Sequence, residues 1–446
     1  MQYKILFLCD FNRKSANTIV DHATCFEAYS KHKYYYYNPV RKNKPVWLDL
    51  NDFDIIIIHY SIYVLGDYYI NETWRNAIAE SKAVKVQFIQ DEYRTINAFH
   101  ERMRELSINV LFTCFPEREI EKVYPEDKLP GVVKINNLTG YVPNYMENKR
   151  PDFDKKRSID VGYRGRELGY WYGDLGREKL IIATKMRELL KDSGLIYDIS
   201  AREEDRIYGS DWINFLCDCR CTLGTESGAS VMDFTGEIEH NVKRYCKENP
   251  NATYEEVKEK FFKDVDGKIY LNQISPRAFE AIGCGSCLVM FEGEYSGILK
   301  PGVHYIALKK DFSNIAEVIE LMKDEKYTRD MAVRAYEDVI ASGKYSYKAF
   351  VEFFDNKIED YMADKNIRPA IADVTLSLGR VLKSLAKLSL LSIKYIIKSI
   401  VKLLYKLIFK SIPNYYKMVL KLLYRFVPFF IKHRFKLFIN RLASMR

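Results

Sequence analysis

Nowhere in this sequence do eighteen apolar residues follow one another, so no segment is expected to cross a bilayer as a helix. The opening MQYKILFLCDF holds too short an apolar run for a signal peptide, and Asp10 and Arg13 follow at once; it reads as a first strand. Nine cysteines without an export signal lead to the expectation of reduced thiols and a cytoplasmic protein. Glycine is missing from FNRKSANT, the turn after that strand, and no G-x-G-x-x-G occurs there, which removes support for a dinucleotide site and a dehydrogenase. No internal repeat is present, and histidine is scarce, with seven in the chain. The most telling absence is of acid near the end. Residues 374–446 hold 16 Lys/Arg and no Asp or Glu, so the net charge of +9 conceals a body of −7. A uniformly basic nucleic-acid binder is thereby excluded.

What is present is an alternation of short apolar runs with amphipathic segments. KILFLCDF, DIIIIHY, VKVQFIQ and NVLFTCF read as buried parallel strands, with ETWRNAIAESK and INAFHERMREL as helices between them. A polar stretch with a proline, YMENKRPDFDKKRS, reads as a linker. A second α/β unit opens at IDVGYRG and continues through REKLIIATKMRELLKDSG, LIYDIS, CTLG, CLVMF and HYIAL, interrupted by a helical insertion at about 231–265. The fold class expected is therefore α/β, two Rossmann-like domains facing a cleft, followed by a basic helical tail. The division is 1–150, 151–366 and 367–446.

The chemistry concentrates in ISPRAFEAIGCGSCLVMF. Ser275 suits an N-cap and Pro276 the first helical position. Arg277 and Glu280, three apart, share one face of the opening turn. A helix N-terminus at a sheet edge offers free N–H groups to an anion, and Arg277 adds a fork for phosphate oxygens. Glu280 is placed to accept from two neighbouring sugar hydroxyls. The same features also allow an ordinary surface ion pair. LGTESGASVMD follows another strand and puts Glu226, Ser227 and Gly228 at a strand-to-loop edge, where ligands of such folds bind.

PRAFEAIGCGSCLVM followed by PGVHYIAL and DFSNIAEVIELMKDE resembles the C-terminal half of GT-B glycosyltransferases. More narrowly it is similar to the "glycosyl transferases group 1" branch and its spore-maturation-type relatives, over about residues 159–355. The resemblance implies a nucleotide-sugar donor, with Glu280 holding its ribose and either Arg164 or Arg166, together with Lys179, beside the diphosphate. It departs at Asn272, where many relatives carry a second glutamate that touches the donor sugar. It further implies that loops of the first domain line the acceptor side. These include Asp10, Asn12 and Arg13 after one strand, and Asp91 and Glu92 in FIQDEYR after another, any carboxylate among them able to take the acceptor proton. His59, at a strand end, is a further candidate on that side, and His304 one in the donor half. No resident cofactor or metal is expected. Cys284 and Cys287 form C-x-x-C and Cys217, Cys219 and Cys221 form C-x-C-x-C, but neither supplies four convergent ligands, and DVDG reads as a turn.

In the tail, Lys383, Lys387, Lys394, Lys398, Lys402, Lys406 and Lys410 recur at steps of four or seven among Leu, Ile and Tyr. Such steps stack cations on one helical face opposite an apolar one, the pattern of an interfacial helix on an anionic membrane. The whole reads as a glycosyltransferase at the inner face of the cell membrane, acting on a lipid-linked or polysaccharide acceptor. A nucleotide-sugar epimerase of the same form and an inactive membrane-bound scaffold are the rival readings.

Overall fold

A computed structural model of the chain describes residues 2–10, 17–147 and 149–367. Asn12, Arg13 and the basic tail lie outside the described residues.

The isoleucine run at 55–58 shows why the first sheet forms. All four side chains have zero exposure, which requires cover on both faces and so a parallel strand between two helical layers. Six parallel strands do this: β1 (Lys4–Leu8), β2 (Lys33–Tyr37), β3 (Ile55–Ile58), β4 (Val84–Phe88), β5 (Val110–Thr113) and β6 (Val133–Asn136). Their spatial order is β2-β1-β3-β4-β5-β6. Helices α1 (Asn17–Tyr29), α2 (Glu72–Glu80), α3 (Ile96–Glu105) and α4 (Glu117–Val123) form the crossovers, and a short α5 (Asn144–Glu147) precedes the linker.

The second sheet has five parallel strands in the order β13-β12-β9-β7-β8. These are β7 (Ile159–Arg164), β8 (Tyr197–Ser200), β9 (Cys219–Gly224), β12 (Cys287–Phe291) and β13 (Tyr305–Leu308). Between them lie α6 (Gly173–Leu189), α7 (Gly209–Asp218) and α10 (Pro276–Gly283). The insertion contributes a small antiparallel pair, β10 (Ser227–Ala229) with β11 (Leu271–Gln273), and two helices, α8 (Glu237–Glu248) and α9 (Tyr254–Phe261). Helices α11 (Ile315–Lys323), α12 (Glu325–Ala335) and α13 (Tyr347–Asp364) close the described chain. The expected α/β class with two parallel sheets is what forms.

One element departs from a linear division at residue 150. Helix α13 packs on the first sheet, burying Tyr347, Phe350, Val351, Phe354 and Ile358 among Phe7, Phe26 and Phe88. Ser30 Oγ donates to Asp355 at 2.9 Å, and Lys31 pairs with Glu359 at 2.7 Å. Each of those apolar side chains gains about 1.5–3 kcal/mol by burial, so this helix belongs energetically to the first lobe. Both ends of the described chain thus build that lobe.

The two sheets meet through polar contacts around the insertion. Asp233 N donates to Tyr93 O at 2.8 Å, Tyr93 and Tyr172 join their hydroxyls at 2.7 Å, and Arg94 pairs with Glu239 at 3.2 Å. On the other side of the cleft Thr139 Oγ1 donates to Ile274 O at 3.0 Å.

Candidate active site

From β7 the chain moves out to β8 and then returns past β7 to β9, so the carboxyl ends of β7 and β9 splay apart at the switch point of the second sheet. A cavity of 340 Å³ opens there, bounded by the ends of both strands, α6, α7 and the N-terminal turn of α10. The local sequence explains the shape. Ala278 and Ala281 on α10 and Gly224 on β9 leave room that larger side chains would fill. Ser275 caps α10, its hydroxyl accepting from Arg277 N at 3.4 Å, and Pro276 occupies the first turn as the sequence suggested.

Arg166, Lys179 and Arg277 converge on this cavity. Lys179 forms no ion pair among the described residues, and its ammonium is pushed down to about 8, first by burial and then by the nearby charges of Arg277 and Arg166. Arg166 is exposed and likewise has no carboxylate partner among the described residues. Arg277 donates to Arg164 O and lies over the Trp212 ring, 5.1 Å from its centroid. Positive charge is therefore held together at the free N–H groups of a helix start, an arrangement that favours a polyanion. Because the ammonium form is the one that attracts an anion, affinity for inorganic sulfate, whose own charge is constant over this interval, is expected to fall as pH rises through about 8. Binding below that range changes little with pH, and Lys179→Arg flattens the profile. Calorimetric titration across the interval checks this.

Glu280 stands one turn into α10. Trp212 Nε1 donates to its Oε2 at 2.7 Å, and no hydrogen bond reaches Oε1 among the described residues. Burial lifts its carboxyl above the usual range, opposed by the Trp212 hydrogen bond and by Arg277. Trp212 thus orients the carboxylate through one oxygen, and Glu280 stands beside the cavity rather than in its lining. Arg164 is differently engaged. Its guanidinium pairs with Asp198 at 2.6 Å and lies 4.5 Å from the Phe215 centroid, so it braces β7 against β8, and Arg166 is the freer of the two arginines.

Glu226 is 5 % exposed, and its Oε1 accepts from Asn272 Nδ2 at 3.0 Å, Glu294 N at 3.1 Å and Tyr295 N at 2.9 Å. It holds the 293–295 turn, and Gly293 approaches so closely that a Cβ there would lie 2.9 Å from the Glu226 carboxyl carbon. Asn272 in turn accepts from Arg118 Nη2 of α4 at 3.2 Å, and Arg118 also pairs with Glu294. An acid at position 272 would face the Glu226 carboxylate; the amide donates to it instead. Ser227 lines the cavity, whereas Gly228 serves the backbone, its φ of +131° and its register opposite Asn272 allowing β10 to meet β11.

On the first lobe Asp91 lies just past β4, with Ile89 and Gln90 between. It is exposed, sits in left-handed backbone at φ +55°, and its charge acts to raise Lys179 across the cleft. Aspartate is among the few non-glycine residues that tolerate that conformation in a turn. Two other residues grouped with it in sequence are turned inward. Glu92 has zero exposure and accepts from Thr113 Oγ1, from Cys114 N at 2.6 Å and from Tyr124 OH at 2.6 Å. Burial lifts its carboxyl to about 7 against the pull of these bonds, and its place is a brace between the ends of β4 and β5 rather than the cleft wall. His59, also at zero exposure, is 3.0 Å from His22 Nδ1 through Nε2 and 2.8 Å from Ser61 Oγ through Nδ1. Burial and His22 drive its pKa well below the ordinary value, so it stays a neutral core side chain. His304, paired with Asp338 at 3.0 Å, braces the 300–304 turn.

Cys284 and Cys287 point apart, Cys284 toward Ile213 O of α7 and Cys287 into the strand register opposite Cys221. No group of three or more His, Cys, Asp or Glu able to hold a metal occurs among the described residues. The aspartates of DVDG sit in a turn where Asp266 accepts from Ser230 Oγ at 2.6 Å and pairs with Lys258 at 3.0 Å. Two residues of the site were not singled out in the sequence. Trp212 gave no signal beyond its rarity. Thr222, 6 % exposed, lines the cavity with a hydroxyl that has no hydrogen-bond partner among the described residues, and only its place near the end of a strand pointed to it.

No protein-family model matches the sequence, and no curated protein matches it. Among solved structures, similarity is found to T4 phage BGT in complex with UDP-glucose, at 12 % identity over 81 % of this chain and 99 % of that one, with a TM-score of 0.47. HepE of Anabaena in complex with UDP-glucose is similar at 12 % identity over 81 % of this chain and 100 % of that one, with a TM-score of 0.43. TarM is similar at 14 % identity over 68 % of this chain and 54 % of that one, with a TM-score of 0.36.

Proposed function

We propose that the protein is a glycosyltransferase that moves a sugar from a nucleotide-sugar donor to a lipid-linked or polysaccharide acceptor at the cytoplasmic face of a membrane. The observation that carries this reading is the electropositive switch-point cavity, with the Trp212-oriented Glu280 one turn into α10 beside it. The N-terminus of α10, Arg277, Lys179 and Arg166 take the diphosphate, and Glu280 takes the ribose hydroxyls. Glu226 and Asn272, joined at 3.0 Å, take the place of a glutamate at 272 as a buried pair that holds the turn beside the donor sugar. The cations neutralise the charge that grows on the leaving diphosphate, so the reaction proceeds without a metal. Across the cleft, Asp91 accepts the proton of the attacking hydroxyl. Residues 374–446, with their 16 basic and no acidic side chains, hold the enzyme on anionic lipid.

The reading is tested by calorimetric screening of UDP-, GDP-, ADP- and CMP-linked sugars in the presence of EDTA, followed by hydrolysis assays. One nucleotide class binds the intact chain, and Glu280→Ala and Arg277→Ala each weaken that binding about tenfold or more with unchanged circular dichroism. Failure of every nucleotide sugar to bind, or unchanged affinity in both variants, overturns it.

A further inference from the structure

The loop after β2 raises a question that the catalytic cavity does not answer. Val46 at its tip is fully exposed, and Trp47, whose ring meets that of Tyr37 edge-on with centroids 6.5 Å apart, keeps 62 % exposure. The loop is nonetheless firmly built. Arg41 N donates to Tyr68 O at 2.9 Å, Lys44 N donates to Thr73 Oγ1 at 2.9 Å, and Lys42 O accepts from both Asn71 Nδ2 at 3.1 Å and Trp74 Nε1 at 3.0 Å. An anchored loop that displays valine and tryptophan keeps its apolar surface ready at little ordering cost.

Charge surrounds that tip on one side. Arg41, Lys42 and Lys44 form no ion pairs among the described residues; Arg41 lies instead over the Tyr68 ring, 4.6 Å from its centroid. Of the acids along this stretch, Asp67 pairs with Arg75, while the exposed Asp49 and Glu72 form no ion pair among the described residues. The result is an apolar tip flanked by three cations outside any described ion pair and by the exposed Tyr68.

We propose that this loop is a membrane-docking surface, in which Val46 and Trp47 enter the headgroup–acyl boundary of an anionic bilayer while Arg41, Lys42 and Lys44 meet lipid phosphates. The pairing of the two features selects the partner. A polyanionic glycan satisfies the cations but gives nothing to a fully exposed valine, whereas a lipid interface takes both, and tryptophan partitions to that interface. The turn that opens this segment and the Asp91 turn both leave the carboxyl edge of the parallel sheet, and past Val46 and Trp47 the chain runs along α2 to its far end, where Ser81 Oγ donates to Leu50 O at 3.4 Å and Lys82 N to Asn51 Oδ1 at 2.9 Å. A bilayer held on this flank brings a lipid-linked acceptor to the lobe that carries Asp91. That last consequence rests on the transferase reading; the docking itself does not.

The test uses the full chain, so that the basic tail is present. The chain has four tryptophans, of which Trp74 is fully buried and Trp171 and Trp212 are partly buried. Vesicles of phosphatidylcholine and phosphatidylglycerol with brominated acyl chains quench a tryptophan only on close approach to the chains. The expected result is partial quenching of the wild-type emission, loss of that quenching in Trp47→Phe, and co-sedimentation in both. Val46→Asp, at an equally exposed position, reduces the quenching with its fold intact. Sedimentation without quenching assigns docking to the tail alone and overturns the proposal, as does equal quenching of wild type and Trp47→Phe or absence of binding. A shift of Trp47 emission with dextran sulfate but not with brominated vesicles replaces the lipid by a glycan and overturns it too. None of these readouts depends on sugar transfer, so the docking and the transferase readings stand or fall separately.

Discussion

Asp91→Asn is expected to lower glycosyl transfer by about 10²–10⁴-fold while leaving donor affinity within about twofold of wild type. The asparagine is isosteric and tolerates left-handed backbone, so the turn at φ +55° persists and the change removes only the proton acceptor. Asp91 lies on the opposite lobe from Glu280 and Arg277 and reaches the cations of the cavity only through its charge on Lys179, so the expected change in donor affinity is small. Its neighbour provides the contrast. Glu92→Gln disturbs a carboxylate that braces Thr113, Cys114 and Tyr124, so that change acts on stability first. Single-turnover transfer with saturating donor separates the two. If Asp91→Asn transfers at the wild-type rate, the proton goes elsewhere and Asp91 is only a turn residue.

Gly228→Ala is expected to cost about 3 kcal/mol or more and to abolish donor binding with it. At φ +131° an L-residue is strained, and the added Cβ would lie 1.5 Å from Leu271 O, a backbone atom of the partner strand. Neither side chain nor rotamer relieves such an overlap; β10 and β11 must part. Their parting moves Asn272, paired with Gly228, away from Glu226 and from Arg118, and so loosens a junction where α4, β11 and the 293–295 turn are tied together. Gly131→Ala is the control. It too has positive φ, +71°, but nothing lies within 4 Å of the added carbon, so its cost is about 1 kcal/mol. Thermal unfolding of both variants, with donor titration of the folded fraction, checks the contrast. Equal midpoints for the two would mean that the strands are free to separate and that the pair does not hold the site.

Much of the donor half was legible because it depends on local chemistry. Ser275, Pro276, Arg277 and Glu280 lie within one and a half helical turns, where N-capping and helical spacing decide which side chains share a face, and the structure keeps them there. Parallel strands with apolar runs, such as Ile55–Ile58 and Cys287–Phe291, announced themselves for the same reason. Strand β2, KYYYY, did not, because an edge strand half covered on its faces has no apolar run to read. The choice among the first-lobe carboxylates was beyond periodicity. Asp91 and Glu92 are adjacent, and only the turn of the backbone after β4 sends one to the cleft and the other to Thr113 and Tyr124. His59 likewise ends a strand in sequence yet meets His22 from a separate helix inside an aromatic core.

What the sequence by itself determined was the α/β class, the Ser275-capped helix α10 with Arg277 and Glu280 in its opening turns, and the separation of an acidic body from a basic tail, since each follows from composition or from neighbours along the chain. The tertiary structure alone decided that α13 completes the first lobe, that Glu226 and Asn272 share one hydrogen bond, and that Trp212 orients Glu280. Those pairs are 46 and 68 residues apart, and a contact across such a distance is fixed by how sheets and helices pack, not by any pattern that the intervening residues carry.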